Sequence, residues 1–179
     1  THHINIGIKY YEDLLKKIPR NEIDDLSKII SKIIAEISET LIFEICGSYR
    51  RGLDYSGDVD ILITNKNSNL NDKKIKSTNY LTLLVNNLKN RNIIVDDLTN
   101  TSSGKKYMGI YKYNNNYARR IDIRYIDYEE FYTALLYFTG SKNFNLDLRK
   151  KAIKMGYKLS EYSLIKVSNN EKMNINSEY

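Results

Sequence analysis

Apolar residues recur every third or fourth position through much of this chain, which is the period of a helix. The longest such stripe consists of Ile23, Leu26, Ile29, Ile30, Ile33, Ile34 and Ile37. It predicts an amphipathic helix that Asn21 caps and whose apolar side packs against a sheet. The same spacing predicts a short helix over residues 8–18, ended by Pro19, and another over residues 80–88.

Short apolar runs between the helical stretches predict strands. The predicted strands span residues 41–46, 58–63, 93–95, 108–113 and 118–125. The polar residues 64–78 predict a loop. From residue 128 onward the pattern predicts two helices and then a small hairpin, over residues 128–138, 142–155, 157–159 and 162–167. The predicted fold is therefore α+β: a mixed sheet backed by helices, followed by a mainly helical subdomain with a small β-hairpin.

Two aspartates stand one residue apart at the start of the second predicted strand. Side chains alternate between the faces of a strand, so Asp58 and Asp60 point to one side while Val59 and Ile61 point to the core. Paired aspartates are often merely solvated, but this pair lies in a run too apolar for an exposed loop. Carboxylates this close repel each other unless a cation lies between them, and hard oxygen ligands suit Mg²⁺. The pair predicts a magnesium site.

The turn before this strand has the features of a phosphate site. Gly47 and Ser48 follow one strand and open a short helix, whose free backbone N–H groups can bind a phosphate. A metal site and a phosphate site at one edge of a sheet predict an enzyme that transfers nucleotides.

A third carboxylate lies on the last strand of the predicted sheet. Because polar and apolar residues alternate there, Arg120, Asp122 and Arg124 share one face. Asp122 can join Asp58 and Asp60 if the two strands are neighbours. The alternative is a cross-strand ion ladder, in which the arginines merely pair with Asp122. Three carboxylates on adjacent strands favour a two-metal site, whose ions lie about 3.5–4 Å apart and clamp the attacking and leaving oxygens.

These features belong to an ordered series of four motifs. The motifs are Gly47-Ser48-Tyr49-Arg50-Arg51-Gly52, Ser56-Gly57-Asp58-Val59-Asp60, Arg119-Arg120-Ile121-Asp122-Ile123-Arg124 and Tyr137-Phe138-Thr139-Gly140-Ser141. In order and spacing they resemble the motifs of family X DNA polymerases, most nearly those of DNA polymerase beta. The first motif alone would fit any nucleotidyltransferase, whereas the ordered set is specific, and the likeness covers nearly the whole chain.

The resemblance implies three regions. Residues 1–19 would be the end of a helical DNA-binding region, and residues 20–127 a nucleotidyltransferase-type palm. Residues 128–179 would be a nucleotide-selecting subdomain that is truncated at its C-terminal end. Because the chain does not begin with methionine, we expect it to be part of a longer protein.

The resemblance also implies which residues form the site. Catalysis and the binding of two Mg²⁺ ions, for which Mn²⁺ can substitute, would fall to Asp58, Asp60 and Asp122. The incoming nucleotide would be bound by Gly47, Ser48, Arg51, Ser56, Gly57, Tyr137, Phe138, Gly140 and Asn145. The DNA would be contacted by Arg120, Arg149 and Lys105, with Lys106 beside it. A gate would consist of Arg124, Glu161 and Tyr162, with Arg124 paired to Asp60 when open and to Glu161 and Tyr162 when closed.

Some positions carry a different expectation. Lys142 stands where the family has an acidic residue beside the base, and Leu146 where it has a basic residue over the templating base. Both departures concern fidelity rather than chemistry. Arg50 is expected to be a solvated side chain. Without the motif around them, Tyr137 and Phe138 would be expected in the core.

Composition and charge agree with a polyanionic partner. The 179 residues carry a net charge of +6, which favours gapped or primed duplex DNA together with a dNTP. One cysteine, Cys46, excludes an internal disulfide and favours a reducing intracellular compartment: the nucleus, or a viral factory or virion if the source is viral. No run approaches the roughly 18 apolar residues of a membrane span, so we expect no membrane partner, and we expect a monomer.

The predicted function is that of a family X DNA-directed DNA polymerase that transfers dNMP to a primer 3′-hydroxyl, in short-gap filling during base-excision or other DNA repair. One alternative is a template-independent nucleotidyltransferase, such as a poly(A)- or CCA-adding enzyme or a small-molecule adenylyltransferase. Such enzymes share the Gly-Ser and two-aspartate motifs but not Tyr137-Phe138-Thr139-Gly140. The other is a catalytically degenerate DNA-binding module, against which the three carboxylates argue.

Overall fold

The computed structural model describes residues 2–70, 72–114 and 116–178 of the chain. Its helices are α1 (His2–Lys9), α2 (Tyr11–Leu14), α3 (Arg20–Ile37), α4 (Gly47–Arg50), α5 (Lys73–Ser77), α6 (Tyr80–Asn90), α7 (Phe131–Thr139) and α8 (Lys142–Lys154), with a 3₁₀ turn at Tyr128–Glu130. Its strands are β1 (Ile18–Pro19), β2 (Leu41–Ile45), β3 (Tyr55–Ser56), β4 (Val59–Asn65), β5 (Ile94–Asp97), β6 (Lys106–Tyr111), β7 (Arg119–Tyr125), β8 (Tyr157–Leu159), β9 (Leu164–Lys166) and β10 (Glu171–Lys172).

A five-stranded mixed sheet positions the site. Its strands lie in the order β2-β4-β7-β6-β5. Strands β4 and β7 are parallel, and the other neighbouring pairs are antiparallel. A parallel pair needs a long crossover connection, and the chain between β4 and β7 supplies it. The second and third motifs of the sequence are thereby brought side by side.

One face of this sheet, the core face, is covered by helices. Val59 and Ile61 on β4 and Ile121 and Ile123 on β7 are buried there. They share one hydrophobic cluster with the apolar stripes of α3 and α6. Each such side chain contributes about 1.5–3 kcal/mol when it is fully buried. The predicted packing of the first long helix on the sheet is confirmed, whereas the predicted cap at Asn21 is wrong, because α3 begins at Arg20 with Pro19 as its N-cap.

The opposite face, which we call the open face, is covered in two places. Near one end, α7 packs Phe131 and Leu135 against Leu62 of β4. Elsewhere on this face, α1 packs Ile6 against Ile110 of β6. The part of the open face between these contacts carries the charged residues of the candidate site.

The short elements differ most from the sequence prediction. The predicted helix over residues 8–18 is instead the pair α1 and α2, and β1, which follows them, pairs with β3. The predicted loop over residues 64–78 contains α5, which forms because the Asp72 side chain accepts hydrogen bonds from the first-turn N–H groups of Lys74 and Ile75. The C-terminal hairpin has a third strand, β10. None of the described helices is long and apolar enough to cross a membrane.

Candidate active site

Two carboxylates meet on the open face because β4 and β7 are neighbours. Asp60 lies directly opposite Asp122 in the register of the two strands. Neighbouring strands lie only about 4.8 Å apart, and both side chains point to the same face. The prediction that Asp122 reaches the first aspartate motif is therefore confirmed for Asp60.

Burial and mutual repulsion act on this pair. Burial, and secondly the charge of Asp122, raise the pKa of Asp60 to about 6, against the opposing effect of Arg124. Burial also raises the pKa of Asp122, although the charges of Arg120, Lys106 and Arg124 oppose it. The Oδ1 atom of Asp122 is buried without a hydrogen-bond partner. A buried carboxylate with an unsatisfied oxygen, opposite a second and half-buried carboxylate, fits a divalent cation that prefers oxygen ligands, such as Mg²⁺.

Asp58 is connected to this pair through Arg120. The Arg120 guanidinium is ion-paired with Asp58, and its Nε lies 3.6 Å from Oδ1 of Asp122. Arg120 thus supplies the positive charge between two carboxylates that would otherwise repel each other. Over residues 2–70, 72–114 and 116–178 no cluster of three or more Asp, Glu, His or Cys side chains is arranged to hold a metal ion. Asp58 is ion-paired with Arg120 and does not form a metal-binding cluster with Asp60 and Asp122 in the described residues.

A cavity of about 560 Å³ opens beside these carboxylates, between the sheet and the pair α7 and α8. The predicted site residues that line it are Gly47, Ser48, Arg51, Asp58, Asp60, Tyr137, Phe138, Gly140, Asn145 and Arg149. The lining also includes Thr139, Ser141, Lys142, Asn143 and Leu146. Ligand pockets commonly have volumes of about 300–1,000 Å³, so the cavity is of a size that suits a nucleotide.

The turn at Gly47 and Ser48 forms one wall of the cavity. Gly47 has a φ of +60°, which favours glycine, and a Cβ atom at this position would lie 3.1 Å from Oδ2 of Asp60. Glycine therefore lets the turn approach the carboxylate. The Ser48 hydroxyl donates a hydrogen bond of 2.8 Å to Oγ of Ser56, so these two predicted phosphate ligands lie together. Gly57 lies beside them in the chain, where the nearest atom to an added Cβ would be Nζ of Lys17 at 3.8 Å.

Arg51 spans the cavity from α4 to the end of α7. Its Nη1 donates a hydrogen bond of 2.7 Å to the carbonyl of Thr139. Gly140 follows this contact with a φ of +69°, a backbone conformation that favours glycine, and the peptide bond from Gly140 to Ser141 is cis. A guanidinium has five N–H donors, so Arg51 can hold the Thr139 carbonyl and still bind a phosphate.

Three residues form the wall of the cavity next to α8. Asn145 donates a hydrogen bond of 2.7 Å from Nδ2 to the carbonyl of Tyr137. The guanidinium of Arg149 lies 5.1 Å from the centre of the Tyr137 ring, within the range of a cation–π contact. The Nε of Arg149 is buried without a hydrogen-bond partner. These contacts hold α8 against the end of α7 and leave an unsatisfied donor beside the cavity.

Arg124 contacts an aromatic ring and is close enough to two of its predicted gate partners, Asp60 and Tyr162, for its charge to act on both. Its guanidinium is 4.6 Å from the centre of the Phe138 ring. Burial raises the pKa values of Asp60 and of Tyr162, and the charge of Arg124 opposes both shifts. The neighbouring Glu161 contributes to the raised pKa of Tyr162. Arg124 thus contacts the Phe138 ring, and its charge acts on both Asp60 and Tyr162. That Arg124 switches between these partners stays a prediction.

The structure separates the two lysines at the start of β6. Lys105 is ion-paired with Asp127 at 3.1 Å, beside another cavity of about 520 Å³. Lys106 lies opposite Arg124 in the register, and its charge acts on Asp122. Of the two, Lys106 is therefore the one on the open face near the carboxylates. Lys105 precedes β6, whereas Lys106 is its first residue, and a DNA contact by Lys105 stays a prediction.

The prediction that Arg50 is a solvated side chain is wrong. Its Nη1 donates hydrogen bonds to Oγ1 of Thr139 at 3.0 Å and to Oε2 of Glu178 at 2.8 Å, and its Nη2 contacts the other carboxylate oxygen. The ion pair is bidentate and partly buried, with 25% and 12% of the two side chains exposed. It ties α4 to the C-terminal segment across 128 positions of sequence, a distance over which no local pattern is informative.

We expect the substitution Glu178→Gln to loosen the C-terminal segment. It removes the charge from a bidentate, charge-assisted pair, and we expect a loss of about 1 kcal/mol in the free energy of unfolding, or roughly 2–4 °C in Tm. Hydrogen exchange should become faster at the amide of Met173, which is bonded to the carbonyl of Leu164. Glu171→Gln, at an exposed carboxylate of β10, should change neither quantity. Unchanged exchange at Met173 in Glu178→Gln would show that the ion pair does not hold this segment.

Comparison with known proteins agrees with this geometry. Residues 17–128 match the family model "DNA polymerase beta palm", and residues 134–179 match "DNA polymerase beta thumb". The chain is 34% identical over 164 residues to DNA polymerase lambda of Rattus norvegicus, covering 89% of this chain and 28% of that protein. It is 30% identical over 173 residues to DNA polymerase lambda of Arabidopsis thaliana, covering 92% and 32% of the two chains. Identity to the DNA nucleotidylexotransferase of Xenopus laevis is 28% over 180 residues, covering 82% and 34%.

A mixed sheet with opposed carboxylates, followed by helices that border a nucleotide-sized cavity, defines the palm and thumb architecture of a nucleotidyltransferase fold. The chain belongs to family X of the DNA polymerases, the family of DNA polymerase beta. The family and fold class expected from the four motifs are thereby confirmed, whereas the exact boundaries after residues 19 and 127 stay a prediction. The chain spans about a third of the length of these relatives, 28% to 34%.

Proposed function

We propose that this chain is the catalytic part of a DNA-directed DNA polymerase, which transfers a dNMP to the 3′-hydroxyl of a primer. The observation that carries the proposal is the apposition of Asp60 and Asp122 on the open face, with Asp60 also lining a cavity of about 560 Å³. Such transfer depends on positioning and electrostatics rather than on a covalent intermediate with the protein. Short-gap filling in DNA repair is the role that we propose for it.

Mg²⁺ is the cofactor that we propose for the site, with Mn²⁺ as a substitute. The buried Asp122, whose Oδ1 has no hydrogen-bond partner, and the half-buried Asp60 opposite it fit this ion, and Asp58 would join them on release by Arg120. When bound, such ions activate the primer hydroxyl and neutralise charge on the triphosphate. Arg120, once free of Asp58, would orient Asp122 or contact the primer phosphate.

The side chains around the cavity would bind and orient the nucleotide. Ser48 and Arg51 would hold the β- and γ-phosphates, and the planar guanidinium allows a bidentate contact that lysine cannot make. Tyr137 and Phe138 would crowd a 2′-hydroxyl and so favour deoxynucleotides. The Tyr137 carbonyl accepts a hydrogen bond from Asn145, which would keep this selecting segment in place.

Primer extension tests the proposal. On primed or singly gapped duplex DNA with Mg²⁺ we expect incorporation of the dNMP that the template base specifies, and much slower use of ATP. Rapid transfer from ATP without a template would point to a poly(A)- or CCA-adding enzyme instead. DNA binding without any Mg²⁺-dependent incorporation by the intact protein would establish a DNA-binding module.

Template-independent addition is the second candidate, because one relative is named a DNA nucleotidylexotransferase. Extension of a single-stranded primer by all four dNTPs, at rates that a complementary template does not change, would favour this activity. Templated extension that stops at the end of a gap would favour the first candidate.

A further inference from the structure

Helix α8 carries more positive charge than the proposed nucleotide site uses. Five of its side chains are cationic and one is a carboxylate. Lys142, Leu146 and Arg149, from its first part, line the nucleotide cavity. Lys150 and Lys154 come after the last of these residues and are absent from the cavity wall. The helix therefore extends a positive surface beyond the cavity.

Two aliphatic side chains lie among these lysines. At 3.6 residues per turn, Leu146, Lys150, Ile153 and Lys154 share one side of α8, and we call this set the α8 surface. Leu146 is 52% exposed and Ile153 is 70% exposed, while the side chain of Lys150 is 63% exposed. Lys150 lies 3.7 Å from Asp147 within the helix, a pair that contributes little because both groups are solvated.

We propose that the α8 surface binds the unpaired template strand beyond the base that is being copied. This inference rests on the proposed function, which brings the templating base to the cavity. Lysines attract phosphates, and an unpaired strand also exposes the faces of its bases, against which Leu146 and Ile153 can pack. A duplex offers phosphates but keeps its bases stacked. The mixture of cationic and aliphatic side chains, continuous with the cavity wall, therefore favours an unpaired strand.

The double variant Lys150→Gln/Lys154→Gln tests the proposal through DNA binding, measured by fluorescence anisotropy. Three DNAs are compared: a primer–template with an unpaired template overhang, the same DNA with the overhang paired to a third strand, and a blunt duplex. We expect affinity for the unpaired overhang to fall by about threefold to tenfold at low salt, and affinity for the others to change by less than about twofold. The slope of log K against log salt should become shallower by about 1.4, the value for two phosphates of a single strand.

The aliphatic side chains are tested separately. Ile153→Ser should weaken binding to the unpaired overhang by about twofold to fivefold without changing the salt slope, because it removes apolar contact and no charge. An unchanged affinity for the unpaired overhang would overturn the role of the aliphatic residues in selecting an unpaired strand.

The chain offers a matched control for the lysine variant. Lys28 and Lys32 are exposed lysines at the same spacing on α3, which packs on the core face of the sheet, so Lys28→Gln/Lys32→Gln should bind all three DNAs like the wild type. Three results for Lys150→Gln/Lys154→Gln would overturn the proposal: unchanged affinity for every DNA, an equal loss of affinity for all three, or a loss for the paired overhang alone. The last result would indicate that the α8 surface binds downstream duplex instead. Failure of the wild type to bind any of the DNAs would instead count against the proposed function.

Discussion

Asp122→Asn is expected to lower the rate of nucleotide incorporation by about a thousandfold or more while the protein stays folded. Asparagine keeps the shape of the side chain but lacks the charge that faces Asp60 across β4 and β7. Loss of the metal ligand that we propose at this position should cost several kcal/mol of barrier, and about 1.4 kcal/mol is tenfold in rate. Stability should not fall with activity. Burial raises the pKa of Asp122, so its charge is unfavourable in the folded protein at neutral pH, and Tm should stay the same or rise.

Asp127→Asn is the matched control for this prediction. Asp127 follows the same strand, but its side chain is 49% exposed and is ion-paired with Lys105. Single-turnover incorporation with Mg²⁺ should stay within about twofold of the wild type, because Asp127 is paired with Lys105 and not with the site carboxylates. The free energy of unfolding should change by about 0.5 kcal/mol at most, as is usual for surface substitutions. Incorporation by Asp122→Asn at the wild-type rate would remove Asp122 from the chemistry. A joint loss of activity and Tm would assign it to the fold instead.

The parts of the site that could be predicted from sequence are those that a local pattern specifies. Alternation within β4 and β7 places Val59 and Ile61 in the core and leaves Asp60 and Asp122 on the other face. Their direct opposition also needs the two strands to be parallel neighbours. No residue pattern within either strand specifies that pairing, so the ordered motifs carried this part of the prediction.

Contacts between distant segments could not be predicted in the same way. Nothing local to α4 indicates that Arg50 meets Glu178, and an arginine in a short polar segment is usually solvated. The ion-pair partner of Asp58 could not be predicted for another reason. Carboxylate spacing predicts its face, but Arg120 from the neighbouring strand determines which charge it meets. Side-chain pairing of this kind depends on register and on competing partners, which are properties of the assembled sheet.

Arg119 and Arg120 are adjacent on β7 but have different partners. Substitution of Arg119 is expected to cause the largest loss of stability. Arg119 faces the core, where it is ion-paired with Glu22 at 3.0 Å and each side chain is only 4% exposed. Its Nη1 also donates hydrogen bonds to the carbonyls of Lys16 and Lys17 at 2.9 and 3.2 Å. Arg119→Met would leave a buried carboxylate without its cation, which costs about 3–5 kcal/mol. We expect urea denaturation to show a loss of this size in the free energy of unfolding.

Two further variants separate the buried charge from the arginine side chain itself. Adding Glu22→Gln to Arg119→Met should recover part of the stability, because no unpaired charge then remains in the core. Arg120→Met changes the next residue, whose side chain is 44% exposed and contacts Asp58. It should leave stability within about 0.5 kcal/mol of the wild type while incorporation falls. An equal, small loss of stability in Arg119→Met and Arg120→Met would mean that the buried pair does not hold β7 to α3. A double variant no more stable than Arg119→Met would mean that the lost hydrogen bonds to Lys16 and Lys17, rather than the stranded charge, set the cost.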